Sequence, residues 1–312
     1  MWVGVFLRRK LVYFYIHGKE RIMPYIIMTD SHTDLPYTLV DKWDLPLALM
    51  PYSLDGEEHF ADMGRNRDYV NLFKALASGV KATTSQLPVQ SYLDYLEPHL
   101  KNGSDVLFIA FSSQLSKTID NLRAAASELM ERYPGRRIEV FDTLAMSMAH
   151  GLLVKHAVEM RAEGASMDDV LAWLNANFMC AHGAFVVDDL GYLKRGGRVS
   201  SSAAFFGTIL DIKPFLVISR DGKIVPCDKV KGRRRGLKRL VEYVKENIAD
   251  PENAAVAIMH SESTDDADLL EDMLRSAVPV KEVMKLPVGA VIGVHVGPGL
   301  IAVCFLGKPR TV

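Results

Sequence analysis

The chain has little cysteine, no surplus of charge of one sign and no long apolar run. Its three cysteines, Cys180, Cys227 and Cys304, are far apart and form no Cys-x-x-Cys pair. Their spacing argues against a disulfide framework, a zinc ribbon and a dithiol redox centre, and a reducing, cytoplasmic setting is expected. Lys and Arg number 37 against 38 Asp and Glu, for a net charge of -1, which argues against a uniformly basic nucleic-acid binder. No stretch of about 18 uncharged apolar residues occurs, so no membrane-spanning helix is expected. With 49% hydrophobic residues the sequence is too apolar for a disordered chain. A globular protein of 312 residues remains, long enough for about two domains with separate cores.

Common enzyme signatures are missing too. There is no Gly-x-Ser-x-Gly elbow, no Walker A loop, no Gly-x-Gly-x-x-Gly after the first strand and no His-Glu-x-x-His. Serine-nucleophile hydrolysis, nucleotide hydrolysis, a dinucleotide cofactor and zinc proteolysis all lose standing. No catalytic residue, metal or cofactor is expected. Residues 1–22 carry short apolar runs broken by Arg8, Arg9, Lys10, Lys19 and Arg21, which is not the pattern of a secretory signal. Because Met23-Pro24 directly precedes the first apolar strand, residues 1–22 are read as an extension outside the fold.

What is present is an α/β pattern. Strand-length apolar runs at Tyr25 to Met28, Leu47 to Tyr52, Val106 to Phe111 and Ile138 to Asp142 alternate with helical periodicity. The helical stretches are Tyr69 to Ser78, Val89 to Lys101, Ile119 to Tyr133 and Met146 to Arg161. This is the pattern of a parallel sheet covered by helices. After a helix at Met167 to Phe178, the second half carries a hairpin around Arg220-Asp221-Gly222. It closes on two apolar segments, Val291 to Val296 and Leu300 to Leu306, both read as strands. The expectation is two α/β domains, residues 23–165 with a parallel sheet and residues 166–312 with a mixed one.

Hydroxyl-rich turns fall where open α/β sheets place ligands, at the carboxyl ends of strands. They are Thr29 to Leu35, Ala82 to Gln86 and Ser112 to Ser116. Hydroxyls at a helix start can help bind a carboxylate or phosphate, although Ser, Thr and Asp are also simply the preferred helix caps. In the second half Arg198 can hold an anion or tie its loop to Asp188 or Asp189. His295 is read as a lone histidine among apolar strand residues, before a glycine turn. The basic run Lys229 to Arg239 is either a solvated helix start or a docking face for an acidic partner. It lacks interleaved aromatics, so nucleic acid is not expected as a partner. A stand-alone hydrolase or phosphotransferase using Ser113 with His295 as base is the alternative of a different class.

Seven segments, in this order, resemble the DegV family of fatty-acid-binding proteins, including the FakB subunits of bacterial fatty acid kinase. They are MTDSHTDLP at Met28 to Pro36, TTSQ at Thr83 to Gln86, the Ser-Ser-x-x-Ser turn at Ser112 to Ser116 and VDDLGYLKRGGRVS at Val187 to Ser200. ILDIKP at Ile209 to Pro214, DGKIVP at Asp221 to Pro226 and HVGPG at His295 to Gly299 complete the set. The resemblance implies two α/β domains with a lipid tunnel between them. It also implies a long-chain fatty acid whose carboxylate is presented to a separate ATP-binding kinase subunit, with transient membrane contact. Carried over by position, Thr84 and Ser113 would contact the carboxylate, with Thr83 and Ser112 beside them and His295 close by. Arg198 and the cluster with Lys231, Arg233 and Arg234 would face the kinase. Two departures stand out: Leu87 is inserted between Gln86 and Pro88, and Lys117 stands where relatives usually have glycine.

Overall fold

A computed structural model describes residues 25–199 and 212–312. The expectations for residues 1–22, and for the motif residues Ser200 and 209–211, lie outside them. In chain order the first half runs β1 (Tyr25–Asp30), α1 (Tyr37–Trp43), β2 (Leu47–Ala48), β3 (Pro51–Leu54), β4 (Glu57–Phe60) and α2 (Asp68–Ala77). It continues with β5 (Ala82–Thr84), α3 (Val89–Lys101), β6 (Asp105–Ala110), α4 (Thr118–Arg132), β7 (Ile138–Asp142) and α5 (Ser147–Ala162). The second half runs α6 (Met167–Asn177), β8 (Ala181–Val186), α7 (Gly191–Gly196), β9 (Ile212–Ile218), β10 (Ile224–Lys231) and α8 (Arg233–Asn247). Then follow β11 (Ala255–His260), α9 (Thr264–Ala277), β12 (Glu282–Pro287), α10 (Ala290–Val296) and β13 (Ile301–Leu306).

The N-terminal sheet is parallel, in the order β2-β1-β6-β7. Residues Val106 to Ala110 of β6 are all buried, as expected of a parallel strand covered on both faces. Alternate side chains serve the two faces. Val106 and Phe108 pack with α3 and α4, whereas Leu107 and Ile109 pack with α5. The C-terminal sheet has the order β10-β9-β8-β13-β11-β12 and is mixed, with only β11 and β12 parallel. Helices α8 and α9 cover its outer face. Its inner face, including Phe185, Leu216 and Ala302, joins α5 in the same apolar cluster as Leu107 and Ile109. Helix α5 therefore lies between the sheets, and one core runs through both halves.

The structure corrects three local expectations and adds one strand. The run Leu47 to Tyr52 is split: β2 pairs with β1, while β3 belongs to a separate antiparallel sheet, β4-β3-β5. Ala82 to Thr84 is a strand of that sheet rather than a loop opening α3. Edge strand β12, in which Glu282 and Lys285 interrupt Val283, Met284 and Leu286, is an element the sequence reading does not include. Val291 to Val296 is helix α10, not a strand. All of Ala290 to Val296 except His295 is buried, and a run that is apolar on every side has no period to separate helix from strand. Gly293 lets α10 press close to α2, since a Cβ there would lie 2.8 Å from Leu72 Cδ2.

Candidate functional site

A cavity of about 280 Å³ lies where the β5 turn, the β6–α4 loop, α7 and α10 converge. Strand alternation decides which threonine reaches it: Thr84 lines the cavity, while Thr83 faces outward and is exposed. Thr84 Oγ1 stands 2.8 Å from Nε2 of His295, so two residues 211 positions apart are brought together. Burial, with the charges of Arg198 and His32 adding in the same direction, pushes the His295 imidazole down to about 3. A neutral ring has one N–H. When Nε2 carries it, His295 donates to Thr84 Oγ1, and the Thr84 hydroxyl is left free to donate to an anion.

Arg198 lines the same cavity. Its Nε donates to Leu115 O at 3.1 Å and its Nη1 to Gly196 O. Neither loop carboxylate considered from the sequence holds it: Asp188 pairs with Lys213 and Arg233, and Asp189 accepts from the Gly191 amide. Both partners of Arg198 are carbonyls, so among the described residues its charge is not matched by a carboxylate. Burial lowers its pKa. Apolar side chains complete the walls, among them Phe111, Leu193, Val291, Ile292 and Val296. Met146, Ile292 and Val296 also border a second pocket of about 20 Å³ in the seam between the sheets, walled by Phe185, Met259, Ala302 and Cys304. The larger cavity mixes polar and apolar lining, whereas the smaller pocket is apolar apart from Ser147.

The serine turn is used differently from the carry-over. Ser112 is fully buried and donates to Gly222 O at 2.8 Å, tying the turn to the tip of the β9–β10 hairpin. Ser113 does not line the cavity, and its Oγ accepts from Gln114 Nε2 at 3.3 Å. Ser116 does line it. Lys117 sits just before α4 at φ -89°, a backbone conformation any residue adopts, so glycine is not required there. The inserted Leu87 is buried in the core beside α3.

The turn after β1 is enclosed throughout, with Thr29 to Asp34 all buried. Asp30 accepts from His32 Nδ1 at 2.7 Å, and the His32 ring stacks on Phe111 with centroids 4.1 Å apart. Asp34 accepts from Ser147 Oγ at 2.5 Å and from the Gly289 amide at 3.1 Å, linking this turn to α5 and to the start of α10. Burial outweighs these bonds and pushes the Asp34 carboxyl up to about 7. His32 and Ser116 are cavity residues that sequence reasoning passed over. A signal was available for His32: an Asp two residues before it, the spacing at which its side chain accepts the His32 amide.

In the basic cluster, Arg233 is engaged internally by Asp266 and by Gly299 O. It also lines, with Lys231, Arg234, Arg235 and Lys238, an open groove of about 500 Å³. Among the described residues no group of three or more His, Cys, Asp or Glu side chains could hold a metal ion, and no helix is long and apolar enough to cross a membrane.

Fold and site together define an α/β protein with two sheets packed on a shared helix and a partly open cavity that carries polar groups among apolar walls. Residues 25–308 match the family described as uncharacterised protein, DegV family, and the chain belongs to that family. A DegV domain-containing protein of Clostridium perfringens is 36% identical, over 92% of this chain and 98% of the relative. The solved structure of a DegV family protein from Thermus thermophilus, described for its fatty acid binding, is similar with a TM-score of 0.83 at 28% identity. It covers 91% of this chain and 100% of that one. A fatty acid binding DegV family protein from Streptococcus agalactiae gives a TM-score of 0.81 at 30% identity, covering 92% of this chain and 99% of its own.

Proposed function

We propose that this protein binds a long-chain fatty acid and presents its carboxylate to a separate ATP-binding kinase subunit. The observation that carries the reading is the Thr84–His295 pair with Arg198, in a cavity whose walls also carry the apolar side chains Phe111, Leu115, Leu193, Val291, Ile292 and Val296. Arg198 supplies the charge opposite a carboxylate, Thr84 supplies an oriented hydroxyl, and the seam between the sheets takes the tail. Relatives that bind fatty acids share the fold over more than nine-tenths of this chain.

Magnitudes assign the roles. About 15 buried methylenes at roughly 0.8 kcal/mol each give about 12 kcal/mol gross, before association costs. Hydrogen bonds to a charged group add about 1.5 to 3 kcal/mol each and fix which end of the lipid faces the mouth. Ser85 and Gln86, both exposed, form that mouth. In the partner's reaction a carboxylate oxygen attacks the terminal phosphorus of ATP and the bond to ADP breaks, giving acyl phosphate. This chain's contribution is position. The open groove at Lys231 and Arg234 offers an acidic partner a docking face. Ser113 with His295 is a poorer basis for stand-alone catalysis, because Ser113 is off the cavity and an imidazole held near 3 is a weak base.

The test is extraction of the purified full chain from lipid-replete cells, followed by assay with ATP and an added fatty acid kinase subunit. One fatty acid per chain, and acyl phosphate only when both proteins are present, is the expected result. Protein that is repeatedly free of fatty acid and takes none up would overturn the binding reading. Bound lipid that no kinase subunit phosphorylates would overturn presentation alone.

A further inference from the structure

The cavity holds a second oriented imidazole that the Thr84 pair does not use. His32 is only 5% exposed, and its ring borders the cavity. One edge of the ring is fully committed. Asp30 Oδ1 accepts from the His32 amide at 3.0 Å and from its Nδ1 at 2.7 Å, while Oδ2 takes the Phe111 amide at 3.4 Å. Asp30 is buried, which alone would push its carboxyl up, but the charge and hydrogen bonds of His32 outweigh burial and hold it below the ordinary carboxylate range. An ionised Asp30 accepts and cannot donate, so Nδ1 must carry a hydrogen. The stack on Phe111 fixes the plane of the ring. Turning the ring to satisfy Nε2 elsewhere would cost the bond to Asp30.

The opposite edge is free. Nε2 has no hydrogen-bond partner among the described residues, and the space beside the ring is the cavity that Thr84 and Arg198 also border. His32 and His295 border the same cavity. A carboxylate has two oxygens and about four acceptor sites, more than a single threonine hydroxyl fills.

We propose that His32, held by Asp30, is a second anchor for the ligand's head group, donating from Nε2 to a carboxylate oxygen. The inference rests on the fatty-acid reading and deepens it by naming a further binding residue. With Nδ1 given to Asp30, a donor at Nε2 means a ring carrying both protons. That imidazolium then lies between two carboxylates, one from the protein and one from the lipid. Such an arrangement favours an ionised head group over a neutral one of the same length, because a hydroxyl brings no charge to meet.

The experiment measures binding of hexadecanoate and of hexadecanol to the delipidated full chain, for the unaltered protein, His32→Phe and His32→Gln. The acid-over-alcohol preference should fall about ten- to a hundredfold in His32→Phe, with hexadecanol affinity unchanged. His32→Gln should recover part of it, since its amide can still donate. His32→Phe leaves Asp30 short of a partner, so if that variant does not fold the glutamine variant carries the test through its smaller loss. In the unaltered protein the Nε2 resonance of His32 should move on adding hexadecanoate and stay in place with hexadecanol. A preference retained in the variants, acid and alcohol weakening together, or an unmoved resonance would each overturn the inference. A starting protein that binds neither ligand overturns the fatty-acid reading, and this inference with it.

Discussion

The segments Ala82 to Gln86 and Ser112 to Ser116 are both short, rich in hydroxyls and placed ahead of a helix. In the first, Thr84 meets His295 at the cavity wall while Thr83 faces solvent. In the second, Ser112 is sealed and spans 110 residues to hold Gly222 O. A hydroxyl can serve a ligand only where the protein leaves one of its hydrogen-bonding positions open. The comparison extends to the turn after β1, the most enclosed of the three, where side chains wire α5 and α10 to the sheet. Enclosed hydroxyls and carboxyls should govern stability, and half-open ones should govern binding.

The largest effect belongs to Asp34. Its folded carboxyl titrates near 7 against an ordinary 3.8, so the folded state keeps a proton that the unfolded chain releases. Stability attributable to this group is intact below about pH 4, falls as pH rises from there, and levels off above about 7, a loss of about 4 kcal/mol. Urea unfolding of the protein and of Asp34→Asn at pH 5 and pH 8 checks this. The variant should gain on the parent by a few kcal/mol between those pH values, and parallel curves would refute the assignment.

Next comes Ser112→Ala. It strands the carbonyl of Gly222 in the interior and should cost about 1 to 3 kcal/mol of unfolding free energy. Fatty-acid affinity per folded molecule should not change. If affinity falls and stability holds, Ser112 belongs with the ligand after all and the contrast between the two segments fails.

The smallest and most discriminating pair is Thr84→Val beside Thr83→Val. Thr84→Val should weaken fatty-acid binding about tenfold or more with the melting temperature nearly unmoved. Thr83→Val, one residue away on the outward face, should change stability by no more than about 0.5 kcal/mol and leave binding alone. Equal effects at the two positions would mean that β5 does not alternate as described.

Much of this architecture is legible in sequence because buried parallel strands announce themselves. The runs at Tyr25, Val106 and Ile138 coincide with β1, β6 and β7, and the Asp221-Gly222 turn joins β9 to β10. Elements whose identity comes from tertiary packing stay hidden. Helix α10 is enclosed on all sides and shows no stripe, β4 is a polar edge strand, and β12 is an edge strand broken by Glu282 and Lys285. At the cavity, Thr84 and His295 could be named together from motif order, because the fold returns α10 to β5, whereas Arg198, expected to face a kinase, lines the same cavity. Ser113 and Ser116 are alike in sequence, and only the path of the loop before α4 separates the one that reaches the cavity. His32 stood inside a quoted motif, yet its orientation depends on Asp30 being buried and ionised, which no spacing reveals.

The smaller pocket is walled partly by Gly183, Ala184 and Ala302, on β8 and β13. Neither strand contributes to the larger cavity. Under the fatty-acid reading, the length of chain that fits and the chemistry of its head group are written in different stretches of the polypeptide. A descendant could exchange one small residue for a larger one on these strands and shift to shorter lipids, inheriting its grip on the carboxylate unaltered. The two traits are free to drift apart.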